Sequence, residues 1–311
     1  MDAVVLESLR TFFGERLREN VPLAPYTSAR IGGPADVLID IRSSEELAWA
    51  AQTLWAAGIP WRVLGGGSNV LVSDRGVRGV VLLNRARRVC FRLEDDPPTV
   101  WAESGATLND LAQRAARQGL SGLEWAASVP GSLGGAVYGN AGAFGGDMAG
   151  NLLTVEILHR DSGRQTWPVE KMEYGYRTSV LKRDHPPVVI LAATLRLQRG
   201  DPQAIRLQMQ ANHEQRRRTQ PPGASMGSMF KNPPGDKAGR LIEAAGLKGT
   251  RIGGAEISPM HANFFINTEH TRAADMKALL QLAQRTVFDK FGVWLEPEIE
   301  MIGDWDEESA P

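Results

Sequence analysis

The residues able to do chemistry in this chain lie in short clusters framed by glycine. Gly65-Gly66-Gly67-Ser68-Asn69 directly follows the apolar run Trp61 to Leu64. Lacking β-carbons, the three glycines let their backbone amides approach an anion closely, and Ser68 and Asn69 add side-chain donors suited to a diphosphate. The run breaks the usual dinucleotide fingerprint, because Val70 stands where its third glycine belongs, and no P-loop pattern occurs. A second cluster is Ser128-Val129-Pro130-Gly131-Ser132-Leu133-Gly134-Gly135-Ala136, continued by Gly139-Asn140-Ala141-Gly142-Ala143. Either cluster alone reads equally well as a tight connection or a structural Ω-loop. Together they favour an extended dinucleotide, held by a fold other than the Rossmann or P-loop type.

A third cluster, Gly227-Ser228-Met229-Phe230-Lys231-Asn232-Pro233, sets a serine hydroxyl near a lysine and an amide, a combination that can donate a proton or hold a carboxylate. Overlapping it, Gly223-Ala224-Ser225-Met226-Gly227 matches the G-x-S-x-G elbow of serine hydrolases, with His261 and several acids downstream. That elbow needs a strand before it and a helix after it, whereas a polar helix and Pro221-Pro222 precede and Pro233-Pro234 follow, so the match reads as chance. Two further runs carry charge: Tyr174-Gly175-Tyr176-Arg177-Thr178-Ser179, and Phe291 to Ile299. The latter reads as a strand with Glu296, Glu298 and Glu300 on one face, a solvated edge being its plain interpretation. Arg216-Arg217-Arg218 end a helix and complement its dipole. His261, in Ser258-Pro259-Met260-His261-Ala262-Asn263, precedes a strand and is a candidate polar contact. The other histidines lack metal-ligand spacing and the single cysteine, Cys90, leaves a thiolate site without ligands, so no metal is expected. Between Val89 and Phe91, Cys90 reads as a buried strand residue.

The elements that must position these groups follow from periodicity. Apolar residues at Val5, Leu9, Phe12, Phe13 and Leu17 predict an opening amphipathic helix within residues 1–19. Ser43-Ser44 before Glu45-Glu46 predicts a capped helix ending near Gly58. Strands are predicted at Ala35 to Ile41, Trp61 to Leu64, Val70 to Val72 and Val80 to Leu83, then near 88–93, 99–103, 152–159 and 188–197, with a helix from Leu108 to Gln118. Glycine recurs too often from Gly131 to Gly150 for a helix or strand interior, so an ordered loop system is expected there. Helices are predicted at Pro202 to Arg218, Lys237 to Ala245 and Arg272 to Phe291, the last closed by Gly292, and strands at Phe264 to Ile266 and Trp294 to Ile302.

At 311 residues the chain is long enough for two or three domains of ~100–200 residues. Lys and Arg total 35 against 36 Asp and Glu, so no basic excess exists for a nucleic-acid backbone or an anionic membrane surface. No apolar run approaches the ~20 residues of a spanning helix, and Asp2, Glu7, Arg10 and Glu15 interrupt any secretory signal, so a cytoplasmic protein without membrane insertion is expected.

Taken in order, Arg30-Ile31-Gly32-Gly33-Pro34-Ala35, the GGGSN loop, VPGSLGGA, YGYRTS, GSMFKNP, AGRLIEAAGLKG and LEPEI resemble the UDP-N-acetylenolpyruvoylglucosamine reductase family, also called UDP-N-acetylmuramate dehydrogenases, from about Asn20 to Asp304. The resemblance implies an α+β fold with an FAD-binding domain of the vanillyl-alcohol-oxidase (PCMH) type made of two subdomains, residues 1–84 and 85–200. It also implies a third α+β, substrate-binding domain at 201–292 and a C-terminal strand, 293–311, returning to the flavin site. It implies a non-covalent FAD, NADPH as reductant, and UDP-N-acetylglucosamine enolpyruvate as the substrate reduced for peptidoglycan synthesis, by a monomer. Ser228 is then the proton donor, with Arg177 and Glu298 polarising the substrate carboxylate. Gly65, Gly66, Gly67, Ser68, Asn69, Val129, Pro130, Gly131, Ser132, Gly134, Gly135, Asn140, Ala141 and Gly142 become flavin contacts, and Tyr176, Lys231, Asn232 and His261 substrate contacts. There is no room for the tyrosine-bearing loop of the family's first subtype, so the chain is similar to the second. Thr219 replaces a basic residue before Gln220-Pro221, which makes Arg216 to Arg218 candidates for that phosphate contact. The alternatives are another FAD-dependent oxidoreductase of the same superfold, a serine hydrolase using Ser225, and a non-catalytic nucleotide-binding protein.

Overall fold

The computed structural model describes residues 3–305; the first two residues of the expected opening helix and residues 306–311 of the expected C-terminal segment lie outside the described residues. The chain forms two compact units. One takes the described residues up to Arg18 with Leu38–Gly66 and Val81–Arg216, the other Glu19–Val37, Gly67–Val80 and the described residues from Arg217 onward.

In the first unit an antiparallel five-stranded sheet runs in the order Gly163–Pro168, Leu152–His159, Val188–Arg196, Thr99–Glu103, Val89–Arg92. Its inward residues, among them Val155, Ile157, Ala193, Leu195, Val100 and Ala102, build one core. Helix Leu108–Arg117 covers that core because Leu108, Leu111, Ala112, Ala115 and Ala116 recur at steps of three and four and are all buried. Burial of each such leucine is worth roughly 1.5–3 kcal/mol. Thr107 caps the helix, its hydroxyl accepting from the Asp110 amide at 3.2 Å. Helix Ser44–Ala56 is capped by Ser43 as its sequence predicts. The buried Glu103 carboxylate receives the Ser44 amide (2.9 Å), the Ser44 hydroxyl (3.0 Å) and the Arg88 amide (2.8 Å), which spreads a charge that burial alone would penalise.

The second unit has its own core. A four-stranded sheet in the order Ala224–Ser228, Phe264–Asn267, Ala255–Ile257, Arg251–Ile252 packs with helices Ala238–Ala244 and Ala273–Phe291 through Met229, Phe230, Leu241, Phe265, Met276 and Leu279. The carboxylate of Asp74 accepts from the amides of Ala273 (2.7 Å) and Ala274 (2.9 Å), neutralising donors that open the long helix. Gly292, at φ 68°, closes it. Strand Glu300–Ile302 pairs in parallel with Val70–Val72.

Several expectations need correction. The opening helix spans Ala3–Phe13, and Leu17 begins a strand, Leu17–Pro22, that joins Pro34–Ile41, Val77–Asn84 and Trp61–Leu64 in one sheet. Cys90 is a strand residue but exposed, because Val89–Arg92 is an edge strand whose alternation turns Cys90 outward. Strand Gly163–Pro168 carries no continuous apolar run and escaped prediction. The glycine-rich stretch contains helices Leu133–Gly139 and Met148–Asn151 in place of loops. Ser132 caps the first of these, and a β-carbon at Gly134 would stand 3.0 Å from the Ser104 β-carbon, so close tertiary packing overrides poor helix propensity. From Trp294 to Ile299 the chain is irregular, with one bridge from Pro297 to Phe230, since a proline cannot donate to a ladder.

Candidate active site

Within the first unit, the fold brings the two glycine clusters together. A β-carbon on Gly65 would lie 2.2 Å from the Ser132 Oγ, and one on Gly66 would lie 2.8 Å from the Gly131 Cα, so the two backbones touch where side chains would separate them. The second loop is fixed by Leu108 N–H donating to the Gly131 carbonyl (3.2 Å) and Leu133 N–H donating to the Ala106 carbonyl (2.8 Å). Among the described residues, the amides of Gly65, Gly66 and Gly131 have no acceptor, and the buried Ser128 Oγ has no hydrogen-bond partner. Donors left over beside a backbone this closely apposed suit an elongated, anionic, hydrogen-bonding ligand, and the residues present therefore fit a flavin dinucleotide. Val129 N–H donates to the Ala126 carbonyl at 3.0 Å, and Pro130 is exposed. Arg216 donates to the Ser128 carbonyl at 2.6 Å, and burial pulls its guanidinium below the usual arginine range.

Arg177 is tied to the continuation of the same loop system. Its φ is 57°, its Nη2 donates to the Gly142 carbonyl at 2.6 Å and its Nη1 to the Asn140 carbonyl at 3.4 Å, and its guanidinium lies 5.4 Å from the Tyr176 ring centroid. Asn140, at φ 48°, ends helix Leu133–Gly139; its Nδ2 donates to the Gly175 carbonyl (2.9 Å) and its Oδ1 accepts from the Ala149 amide (3.0 Å). Ala141 N–H donates to the Ala136 carbonyl (3.0 Å), and Gly142 sits where a β-carbon would be 2.7 Å from Asp147. The Tyr174 hydroxyl donates to the Val137 carbonyl at 2.8 Å, and burial raises its phenol far above the ordinary tyrosine value. The YGYRTS run thus braces the glycine-rich helix while Tyr176 stays exposed.

The second unit assembles the serine and glutamate motifs. The run Ser228 to Lys231 lies antiparallel to Glu296 to Glu298: Lys231 N–H donates to the Glu296 carbonyl (2.9 Å), Phe230 bridges Pro297, and Glu298 N–H donates to the Met229 carbonyl (2.8 Å). Ser228 is half-buried at the end of Ala224–Ser228, and the Lys231 ammonium is ion-paired to Glu296. Asn232 caps helix Ala238–Ala244, its Oδ1 accepting from the Ala238 amide at 3.1 Å. Gly67, at φ 61°, turns the first glycine loop where a β-carbon would meet the Tyr26 carbonyl oxygen at 2.1 Å; half-buried Ser68 follows it. Asn69 does more than the diphosphate reading required, since its Nδ2 donates to the Glu298 carbonyl at 3.0 Å.

His261 is half-buried beside Phe264, and its Nδ1 accepts from the Asn263 amide at 3.2 Å. Burial lowers its pKa, so the ring is neutral near pH 7 with its proton on Nε2, available as a donor. Ser225 lies inside a strand paired to Ile266, and no helix follows it directly, so the hydrolase elbow is absent. Asn263 escaped notice in the sequence, although an amide between Ala262 and Phe264-Phe265 was a visible signal: it is buried and bonded to the backbone of Phe230.

Two family models match the chain: the C-terminal domain of UDP-N-acetylenolpyruvoylglucosamine reductase over residues 218–302 and an FAD binding domain over residues 35–167. The UDP-N-acetylenolpyruvoylglucosamine reductase of Chloroflexus aggregans is 44% identical over 289 residues, which cover 92% of this chain and 97% of that one. The Synechococcus elongatus protein of the same name is 46% identical over 294 residues, covering 94% and 96%. The crystal structure of UDP-N-acetylenolpyruvylglucosamine reductase from Thermus caldophilus is similar with a TM-score of 0.77 at 39% identity, covering 92% of this chain and 99% of that one.

Proposed function

This chain belongs to the UDP-N-acetylenolpyruvoylglucosamine reductase family, and from that premise we propose which of its residues carry the reaction. The α+β chain, with its FAD-binding domain of the vanillyl-alcohol-oxidase type, reduces UDP-N-acetylglucosamine enolpyruvate to UDP-N-acetylmuramate in peptidoglycan precursor synthesis, using FAD and NADPH. Bound FAD, once reduced by NADPH, supplies the hydride that adds to the methylene carbon of the enolpyruvyl ether.

In this reading Gly65 to Asn69 and Val129 to Gly135 hold the flavin diphosphate through backbone donors, with Asn140 to Gly142 beside them. Arg177 offers fixed positive charge to the substrate carboxylate as negative charge builds on the neighbouring carbon. Glu298 assists there only when protonated or hydrogen-bonded, because a second anion would repel that charge. Ser228 gives its hydroxyl proton to the carbon next to the carboxylate. An ordinary serine is a weak acid, so the strongly basic carbon drives the transfer, aided by the nearby Lys231 cation. His261, through Nε2–H, together with Asn232 and Tyr176, contacts the UDP-sugar, in the manner of the family's second subtype.

The observation that carries this assignment is the backbone pairing of Ser228 to Lys231 with Glu296 to Glu298, which unites two separate motifs. For domain roles, residues 1–84 and 85–200 serve as flavin subdomains and 201–292 as the substrate domain. The parallel pairing of Glu300–Ile302 with Val70–Val72 supports the return of the C-terminal strand. A cytoplasmic location is part of this reading because the reaction draws on NADPH and a UDP-sugar; among the described residues no helix is long and apolar enough to cross a membrane.

The test is spectroscopic. Anaerobic NADPH is expected to bleach the yellow protein and the enolpyruvyl substrate to recolour it. In Ser228→Ala the bleaching persists while recolouring slows by at least ~10²-fold, the loss typical of a missing general acid. Equal slowing of both half-reactions removes Ser228 as proton donor.

A further inference from the structure

The side chain of Asn263, 4% exposed, spends both its polar ends on one residue. Its Oδ1 accepts from the Phe230 amide at 3.0 Å, and its Nδ2 donates to the Phe230 carbonyl at 2.8 Å. Its own carbonyl accepts from the Met229 amide at 2.8 Å, while the Met229 carbonyl accepts from the Glu298 amide at 2.8 Å. These bonds lie just past the end of Ala224–Ser228, after the register shift between Ser225 and Ser228 in its pairing with Phe264–Asn267. The amide therefore acts as a substitute peptide group, supplying one donor and one acceptor to a backbone that has left its ladder. A buried amide costs stability unless both ends are paired, and here both are paired to the segment joining Ser228 to Lys231.

We propose that Asn263 is a positioning residue for the proton-transfer half of the reaction: it sets the path of Met229 and Phe230, and so presents Ser228 at one end of that path and Glu298 across from it. The inference rests on the assignment of Ser228 as the proton donor. Asn263→Asp keeps the size and the acceptor for Phe230 N–H but turns an acceptor toward the Phe230 carbonyl, which displaces the segment locally. A displacement of about 1 Å is enough to cost on the order of 10²-fold in rate.

The experiment uses the FAD-loaded protein, reduced anaerobically with NADPH and mixed rapidly with UDP-N-acetylglucosamine enolpyruvate, in the parent, Ser228→Ala, Asn263→Asp and the double variant. Asn263→Asp is expected to hold FAD and to be reduced by NADPH near the parent rate, yet to reoxidise ~10- to 10²-fold more slowly. It should also show a larger solvent deuterium isotope effect on reoxidation, because proton transfer from a displaced serine limits the rate. In the Ser228→Ala background the same substitution should add less than about threefold, since the group it positions is gone. Multiplicative losses in the double variant, or an unchanged isotope effect, overturn the inference and leave Asn263 a packing residue. Should Asn263→Asp lose its flavin, Asn263→Ser goes through the same measurements and is judged by the same outcomes. Parent-like reoxidation in Ser228→Ala removes the proton-donor assignment and this inference together. Slow reoxidation in Ser228→Ala with a parent-like Asn263→Asp removes the inference alone.

Discussion

Single atoms decide what Gly66 and His261 can do. Gly66 has no positive φ to protect, so its requirement is purely one of contact: an alanine methyl would come 2.8 Å from the Gly131 Cα, and backbone cannot swing aside as a side chain can. Overpacking of this kind costs about 1–3 kcal/mol and would part the two glycine loops. Gly66→Ala is accordingly expected to fold while its FAD dissociation constant rises at least ~10-fold, measured by flavin titration of the stripped protein; unchanged affinity would show that the loops do not jointly form the cradle. For His261 the sign follows from its lowered folded pKa. Above the ordinary histidine value of 6.5 its neutral form contributes full stability, which then declines as pH falls from 6.5 toward the folded value, because the unfolded chain takes up the proton first. The His261 Cε1 resonance should therefore titrate below 6.5, and substrate KM should not follow this group above it. Titration above 6.5 would contradict a buried neutral donor.

At the scale of elements, the long helix Ala273–Phe291 shows what local sequence does and does not reveal. Its close at Gly292 is plain in the sequence, but two of its opening amides are satisfied by Asp74, which lies 199 and 200 residues away and which no local pattern could nominate. Asp74→Ala should lower unfolding free energy by about 1–2 kcal/mol in a denaturant melt, with Asp74→Asn losing less because it retains one acceptor. A parent-like melt for Asp74→Ala would mean that water satisfies those amides equally well. The same division runs through the rest of the fold. Helices with clear periodicity, such as Leu108–Arg117, and strands with β-branched runs, such as Val188–Arg196, were legible. The helix Leu133–Gly139 was not, since its glycines are there for close approach to Ser104, a property of the packed chain. The segment before Glu300 failed for the converse reason, as alternating Glu296 and Glu298 look like a strand until Pro297 is counted. The candidate site was legible as motifs because glycine, serine and charge stand out locally. Asn263 was not, because its partners at Phe230 lie in another motif.

For the whole molecule, the two units have separate cores and hold different parts of the proposed machinery. The first contains Gly65, Gly66, Gly131, Asn140 and Arg177; the second contains Gly67 to Asn69, Ser228, Lys231, His261 and Glu298. A ligand stabilises whatever native structure it requires, by about 2.7 kcal/mol when present at a hundredfold its dissociation constant, and that gain appears as slower amide exchange only where the opening breaks the ligand's contacts. Adding FAD to the stripped protein should consequently slow hydrogen exchange across Gly65 to Asn69 and Val129 to Gly142. The interior of Ala273–Phe291 and the Phe264–Asn267 ladder, packed in a different core, should change little. The UDP-sugar, added afterwards, should protect Ser228 to Asn232 and the neighbourhood of His261. Peptide-resolved exchange separates this from its rival: an even rise through both cores on FAD binding would mean that the units open as one cooperative body, so that flavin affinity and the integrity of the Ser228 segment could not be tuned independently.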